Sequence, residues 1–166
     1  MRSDESDVHI PLPALLRAAR GSFAQAIRQH LVDVGIHDLP PNGAYVLSGL
    51  TMSMHAGELF REIGLRESSR VRLLQLLLER DFVVPGPGAP RYEVPDLELT
   101  DKGRRAADAV RNGVNAVSDE LATMLSPQEL SSFRTGLIAL IDIKERAEEH
   151  HDHGHVHDHP HVHDHE

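Results

Sequence analysis

The sequence predicts a mainly helical chain with one small β-hairpin. Three observations carry this. Apolar residues recur at helical spacing over most of residues 12–148. Phe82-Val83-Val84 is a short strand signal, followed by Pro85-Gly86-Pro87-Gly88-Ala89-Pro90, a turn-forming run. Tyr92 to Leu99 then alternates weakly, with Pro95 confining it to an edge.

The elements follow in order. Residues 1–11 are polar and expected to be disordered. Leu12 to Val34 has apolar residues at 12, 15, 16, 19, 23, 26, 27 and 31, a helix period broken by Leu39-Pro40-Pro41-Asn42. Ala44 to Met54 reads as a second helix and Ala56 to Ile63 as a short third, ended by Gly64. Arg66 to Arg80 is the fourth, with Val71, Leu74, Leu77 and Leu78 on one side. After the hairpin, Thr100 opens a helix to about Met124. Ser126-Pro127-Gln128-Glu129 starts the last, with Ser126 as cap, Pro127 at the first helical position and Glu129 closing a capping box. A short helix, a tight turn, a longer helix and an immediate hairpin form a winged helix-turn-helix arrangement. The long flanking helices have no evident core of their own, which suggests packing on a second chain.

Composition excludes several function classes. With no Cys among 166 residues there is no disulfide scaffold, thiolate metal site or cysteine nucleophile. No apolar run approaches the roughly 18 residues that span a bilayer, and residues 1–7 do not look like a secretory signal. The expectation is a soluble, cytoplasmic protein with no membrane partner. No Ser-His-Asp elbow, glycine-rich phosphate loop or His-Glu-x-x-His pair is present, so an enzyme is not expected.

The net charge of −9 is unevenly placed. Residues 148–166 hold six acids and no Lys or Arg, leaving 20 acids against 17 bases elsewhere. The body is therefore nearly neutral, and local placement decides what it can bind.

The sequence resembles the MarR family of bacterial winged helix-turn-helix transcriptional regulators over roughly residues 12–148. The likeness is carried by Glu58-Leu59-Phe60-Arg61-Glu62-Ile63-Gly64-Leu65, by Ser68-Ser69-Arg70-Val71-Arg72-Leu73-Leu74 and by Leu77-Leu78-Glu79-Arg80-Asp81-Phe82-Val83. Leu97-Glu98-Leu99-Thr100-Asp101-Lys102-Gly103 looks like the family's strand-to-helix joint, and Leu125 to Leu130 is similar to its last helix start. The chain departs from the pattern at Phe60, where a small Ala is usual, and at Asp81, where Gly is usual. His55 and Arg66 stand where capping residues are common. The wing lacks the family's Asp-Arg pair and carries one base, Arg91.

The resemblance implies a mainly α fold with a β-hairpin wing. The DNA-binding part lies at about 40–100, between dimerisation helices at about 12–34 and 100–149. It implies a homodimer binding double-stranded DNA at an inverted repeat, as a repressor. Arg66, Ser68, Ser69, Arg72 and Gln75 of the recognition helix would meet DNA, Arg72 gripping guanine and Gln75 pairing with adenine. Arg91 would reach the minor groove or a phosphate. Arg70 is ambiguous, and Arg61 and Lys102 are weaker phosphate candidates better read as surface residues. Leu15, Leu16, Leu137, Leu140 and Ile141 would form the dimer core. A small-molecule effector is a further implied partner; Tyr45, Met52 and Met54 could line its pocket but read more simply as core.

Residues 150–166 form a low-complexity tail expected to be disordered. His151, His153, His155, His157, His159, His161, His163 and His165 stand at every second position, which in an extended chain presents a row of imidazoles suited to Ni, Zn, Cu or Co. His9, His30, His37 and His55 of the body are candidates to complete a structured metal site. No cofactor is required. The alternative function is a metal-handling or interaction protein on a degenerate winged helix that does not bind DNA specifically.

Overall fold

A computed structural model of the chain describes residues 10–55, 64–86 and 96–152. The third helix expected at 56–63, with Phe60 and Arg61, lies outside the described residues, as do His9, the hairpin tip with Arg91 and Tyr92 to Pro95, and the tail from His153 onward. Among the described residues there are five helices and one antiparallel strand pair. They are α1 (Leu12–Asp33), α2 (Gly43–Thr51), α3 (Glu67–Glu79), β1 (Val83–Pro85), β2 (Leu97–Leu99), α4 (Asp101–Met124) and α5 (Pro127–Asp152). Residues 1–120 form one compact unit and 121–166 a second.

Helix ends in the first unit are set by left-handed residues. Beyond α1, Gly35 (φ 73°) donates to the Val32 carbonyl at 2.9 Å and Ile36 to Leu31 at 2.8 Å. That bond pair is a Schellman motif, and it brings Ile36 and Leu31 into the core together. The same motif ends α3, with Asp81 (φ 59°) as the left-handed residue. Asp81 donates to Leu78 at 3.1 Å and Phe82 to Leu77 at 2.9 Å. It also ends α2, with Ser53 (φ 59°) donating to Leu50 and Met54 to Gly49. The second helix therefore stops at Thr51 rather than Met54: the chain turns at a Ser, which carries no glycine signal.

One apolar core unites this unit. It joins Leu31 and Ile36, Val46 and Leu47 of α2, Leu73 and Leu77 of α3, Phe82 and Val83, Leu97 of β2, and Ala106, Ala107, Ala109 and Val110 of α4. Full burial of a Leu or Phe side chain contributes about 1.5–3 kcal/mol, and Leu47, Leu77 and Phe82 are wholly buried. The α3 face differs from the sequence expectation. Leu73 is in the core, whereas Val71 is half exposed, because the helix presents positions 73 and 77 inward with 74 and 78 as flanks. The strand pair has the register Val83↔Leu99, Val84↔Glu98 and Pro85↔Leu97. β1 starts one residue later than expected, leaving Phe82 as a core plug, and it includes Pro85, read from sequence as turn.

α4 lies close because its inward face is small. A Cβ on Gly113 would sit 2.7 Å from the Ile27 Cα of α1, and one on Gly103 would sit 1.9 Å from the Phe82 carbonyl oxygen. The first turn of α4 is bolted to the end of α3 by polar groups. The Thr100 N–H donates to the Phe82 carbonyl at 3.2 Å, and its hydroxyl donates to the Asp81 carbonyl at 2.6 Å. That hydroxyl accepts the Gly103 N–H at 2.9 Å, capping the helix. The Lys102 ammonium donates to the Arg80 carbonyl and to the Asp38 carboxylate, both at 2.8 Å. It lies 4.3 Å from the Phe82 ring centroid. The Arg80 guanidinium donates to the Asp38 carbonyl. The Lys102 ammonium bonded to it holds the Asp38 carboxyl below its ordinary value, against a smaller opposing effect of burial.

In the second unit, the capping box forms as the sequence predicts. The Ser126 N–H donates to the Glu129 carboxylate at 2.8 Å, and the Glu129 N–H returns to the Ser126 hydroxyl at 3.3 Å. The Ser126 hydroxyl also donates to the Glu129 carboxylate at 2.6 Å, and this bond, with that of the Ser126 N–H, holds the Glu129 carboxyl below its ordinary value. No described residue of α5 is buried, and Phe133, Ile138, Ile141 and Ile143 are about half exposed. The helix continues to Asp152, so His150 and His151 begin the histidine run inside α5 rather than beyond it.

Two backbone constraints and one ion pair yield predictions. Gly103→Ala should cost about 1–3 kcal/mol, because the methyl meets backbone that cannot swing aside. Asp81→Gly should add up to about 1 kcal/mol by relieving a left-handed L-residue and an acid at a helix C-terminus. Urea unfolding measures both, and equal stability of the three proteins would contradict the close contact and the left-handed turn. Asp38→Asn should cost less than about 1 kcal/mol at pH 7, since the pair is partly exposed and screened. A carboxyl whose folded value is depressed stabilises above its unfolded value and loses that contribution as pH falls through the folded one. The deficit should therefore shrink below about pH 4. A deficit of the same size at pH 7 and pH 3 would exclude the ion pair as its source.

Candidate nucleic-acid interface

α3 carries the sequence-predicted residues on one side. Its N-cap, Arg66, has extended backbone (φ −61°, ψ 152°) and makes no side-chain cap, since a guanidinium carries donors only. The Arg66 carbonyl still accepts the Ser69 and Arg70 N–H groups at 2.9 and 3.0 Å, which starts the first turn. Arg66, Ser68, Ser69, Arg72 and Gln75 are all exposed. Positions 68, 72 and 75 succeed one another at four and three residues, so they line one helix face. Val71, also exposed, stands beside them. The opposite positions, Leu73 and Leu77, fix that face outward by burial.

Two arginines of the helix are placed differently. Arg70 is half buried. Arg80 is turned back onto the Asp38 carbonyl. Among the described residues no ion pair engages Arg66 or Arg72. Lys102, read from sequence as a weak phosphate candidate, is instead held by Asp38, the Arg80 carbonyl and the Phe82 ring. It ties the start of α4 to the end of α3, which sequence spacing did not reveal because its carboxylate partner lies 64 positions away. Asp38 was missed for the same reason.

A second feature is a cavity of about 870 Å³ between the C-terminal half of α1, the linker 34–42, the start of α2 and the middle of α4. Phe23, Ile27 and Val110 give it apolar walls, and Arg20, Arg28 and His37 stand at it as nitrogen-bearing side chains. Tyr45, expected as core, is 44% exposed and lines this cavity. Met52 is 74% exposed and does not line this cavity, since the Ser53 turn carries it away from the core. Met54 packs half buried on the core, as expected.

The body histidines are dispersed. His30 donates from Nδ1 to the Ala26 carbonyl at 2.9 Å, within α1. His55 lies 3.2 Å from the Asp96 carboxylate, both largely exposed, which ties the end of α2 to the base of β2. His37 is exposed at the cavity. Among the described residues no three His, Asp or Glu side chains form a cluster able to hold a metal ion. No described helix is long and apolar enough to cross a membrane.

This arrangement has close counterparts among solved structures. Ligand-free NadR aligns with a TM-score of 0.65 at 17% identity, covering 84% of this chain and 99% of that one. The transcriptional repressor CouR bound to p-coumaroyl-CoA aligns with a TM-score of 0.61 at 21% identity, covering 79% and 91%. A MarR family protein from Bacillus stearothermophilus aligns at 0.57 with 20% identity, covering 81% and 93%. No family model matches the chain, and no curated protein matches it in sequence. The helix order, the two-stranded hairpin and the position of α3 are those of the MarR-family winged helix-turn-helix, and this is the fold of the chain.

Proposed function

We propose that the chain is a DNA-binding transcriptional regulator, acting as a repressor, whose α3 enters the major groove of an inverted-repeat operator. The observation that carries this is the outward stripe of Ser68, Arg72 and Gln75 below the exposed Arg66, on a helix whose other side is core. Arg72 fits the two acceptors of a guanine edge and Gln75 the donor and acceptor of adenine. Ser68, Ser69 and Arg66, in the first turn, bond phosphates or base edges. Arg91, from the wing, adds a minor-groove or phosphate contact. The reading gives no residue a catalytic role.

The regulator acts as a homodimer. The exposed apolar residues at the start of α1 (Leu12 and Leu15, with Ile10 just before it) and of α5 (Phe133, Ile138, Leu140, Ile141) exceed what an isolated surface usually shows, and a second copy covers them. Leu16 and Leu137, both half buried, border the same faces. Two recognition helices then meet successive major grooves about 34 Å apart.

The cavity beside α1 takes a small-molecule effector. Apolar walls with Arg20, Arg28 and His37 suit an acid with a hydrophobic body. CouR holds p-coumaroyl-CoA, and a Mycobacterium tuberculosis MarR family protein holds salicylic acid. The histidine tail binds a borderline transition-metal ion, and its occupancy lowers the negative charge that repels DNA. The alternative, a metal-handling protein that does not bind DNA specifically, is favoured by the single base in the wing.

Selection of bound duplexes from a random pool tests the first reading. It should enrich an inverted repeat that saturates at two chains per duplex. Arg72→Ala should weaken that duplex by about 1–3 kcal/mol, or roughly 5- to 150-fold, and relax one base position. No enriched sequence, or undiminished binding by the variant, would reject it. Zn²⁺ or Ni²⁺ titration with and without residues 150–166 separates the tail's role. Uptake by the full chain alone, with tighter DNA binding, supports the modulating tail. Uptake with unchanged DNA affinity leaves it a buffer.

A further inference from the structure

We propose that Asp38 couples the cavity beside α1 to the position of the recognition helix. The inference rests on the reading of α3 as the DNA-contacting helix and adds the route by which the cavity acts on it.

The linker between α1 and α2 supplies one wall of the cavity through Ile36, His37, Leu39, Pro40, Pro41 and Asn42. Asp38 lies in the middle of this run, yet it is absent from the wall. Its polar groups face the end of α3. The carbonyl accepts the Arg80 guanidinium and the carboxylate accepts the Lys102 ammonium at 2.8 Å. Lys102 also donates to the Arg80 carbonyl at 2.8 Å, which closes a ring through Asp38, Arg80 and Lys102. Arg80 is the C-cap of α3, so the ring is attached to the recognition helix itself.

The linker is stiff enough to transmit a push. Ile36 is 3% exposed and is fixed by the Schellman bond to Leu31. Pro40 is buried, its carbonyl accepts the Gly43 N–H at 2.9 Å, and Pro40 and Pro41 both have restricted φ. Three residues, 37–39, therefore bridge two anchored ends. A molecule that displaces His37 or Leu39 from the cavity side displaces Asp38 between them, and the ring either follows or opens. Closed and open rings are the two discrete states that the cavity and α3 both bias. Two contacts of this ring involve partly exposed groups, so the coupling is modest, about fivefold.

The chain has no Cys, which makes a direct test available. Ala24, exposed on the α1 wall of the cavity, is changed to Cys and modified with a thiol-reactive bimane as a covalent occupant. Affinity is measured for the duplex selected by the unmodified chain. The adduct should lower it about fivefold in the otherwise native chain and less than twofold in a Lys102→Met background, while Lys102→Arg, which keeps the charge, should retain most of the effect. The readout is the ratio of labelled to unlabelled affinity, which a uniform loss of stability does not change. An equal ratio in native and Lys102→Met chains, or no effect of the adduct in the native chain, overturns the coupling. Failure of the native chain to select any duplex is a separate result that removes the DNA reading, and this inference with it.

Discussion

The first unit depends on one close approach: the start of α4 against the Phe82 carbonyl. Only glycine at 103 permits it, since a Cβ there would fall 1.9 Å from that oxygen. Around the contact, Thr100 ties the Asp81 and Phe82 carbonyls to the α4 cap, and Lys102 ties the Arg80 carbonyl to Asp38. The carbonyls that follow α3, at Arg80, Asp81 and Phe82, are thus taken up by Thr100 and Lys102 at the start of α4. The junction sets the angle at which α3 leaves the body and the point from which the hairpin departs.

From this junction the rest follows by packing. Because α4 approaches through Gly103, Ala106, Ala107, Val110 and Gly113, it reaches both the hairpin and α1. Leu73 and Leu77 are drawn into the same core, which leaves Arg72 and Gln75 facing out. Both ends of α3 are fixed, by the turn at Arg66 and by the ring at Arg80. Asp38, one member of that ring, stands between His37 and Leu39, which line the cavity.

Much of this was legible from local chemistry. Helix periodicity located all five described helices, and Ser126 with Glu129 declared its capping box without help from tertiary structure. The outward residues of α3 were also readable, because its apolar partners repeat at helical spacing. What could not be read depended on distant partners or on backbone geometry. Lys102 looked like a surface base because Asp38 is 64 positions away. Val71 looked like core because it stands at helical spacing from Leu74 and Leu78, yet burial of Leu73 and Leu77 turns it outward. Met52 was misread because Ser53, not glycine, takes the left-handed turn.

Charge completes the account. The chain's −9 is concentrated beyond residue 147, while α3 presents Arg66 and Arg72 with no ion pair among the described residues. A body that is nearly neutral with a locally basic helix can meet a polyanion that the whole chain would repel. The most direct measurement is the affinity for a selected inverted-repeat duplex as salt is raised from 50 to 200 mM. Groove binding through these arginines of two chains predicts a fall of at least about tenfold, linear on logarithmic axes, with an unrelated duplex bound far more weakly throughout. An affinity that is flat with salt, or equal for both duplexes, would contradict it.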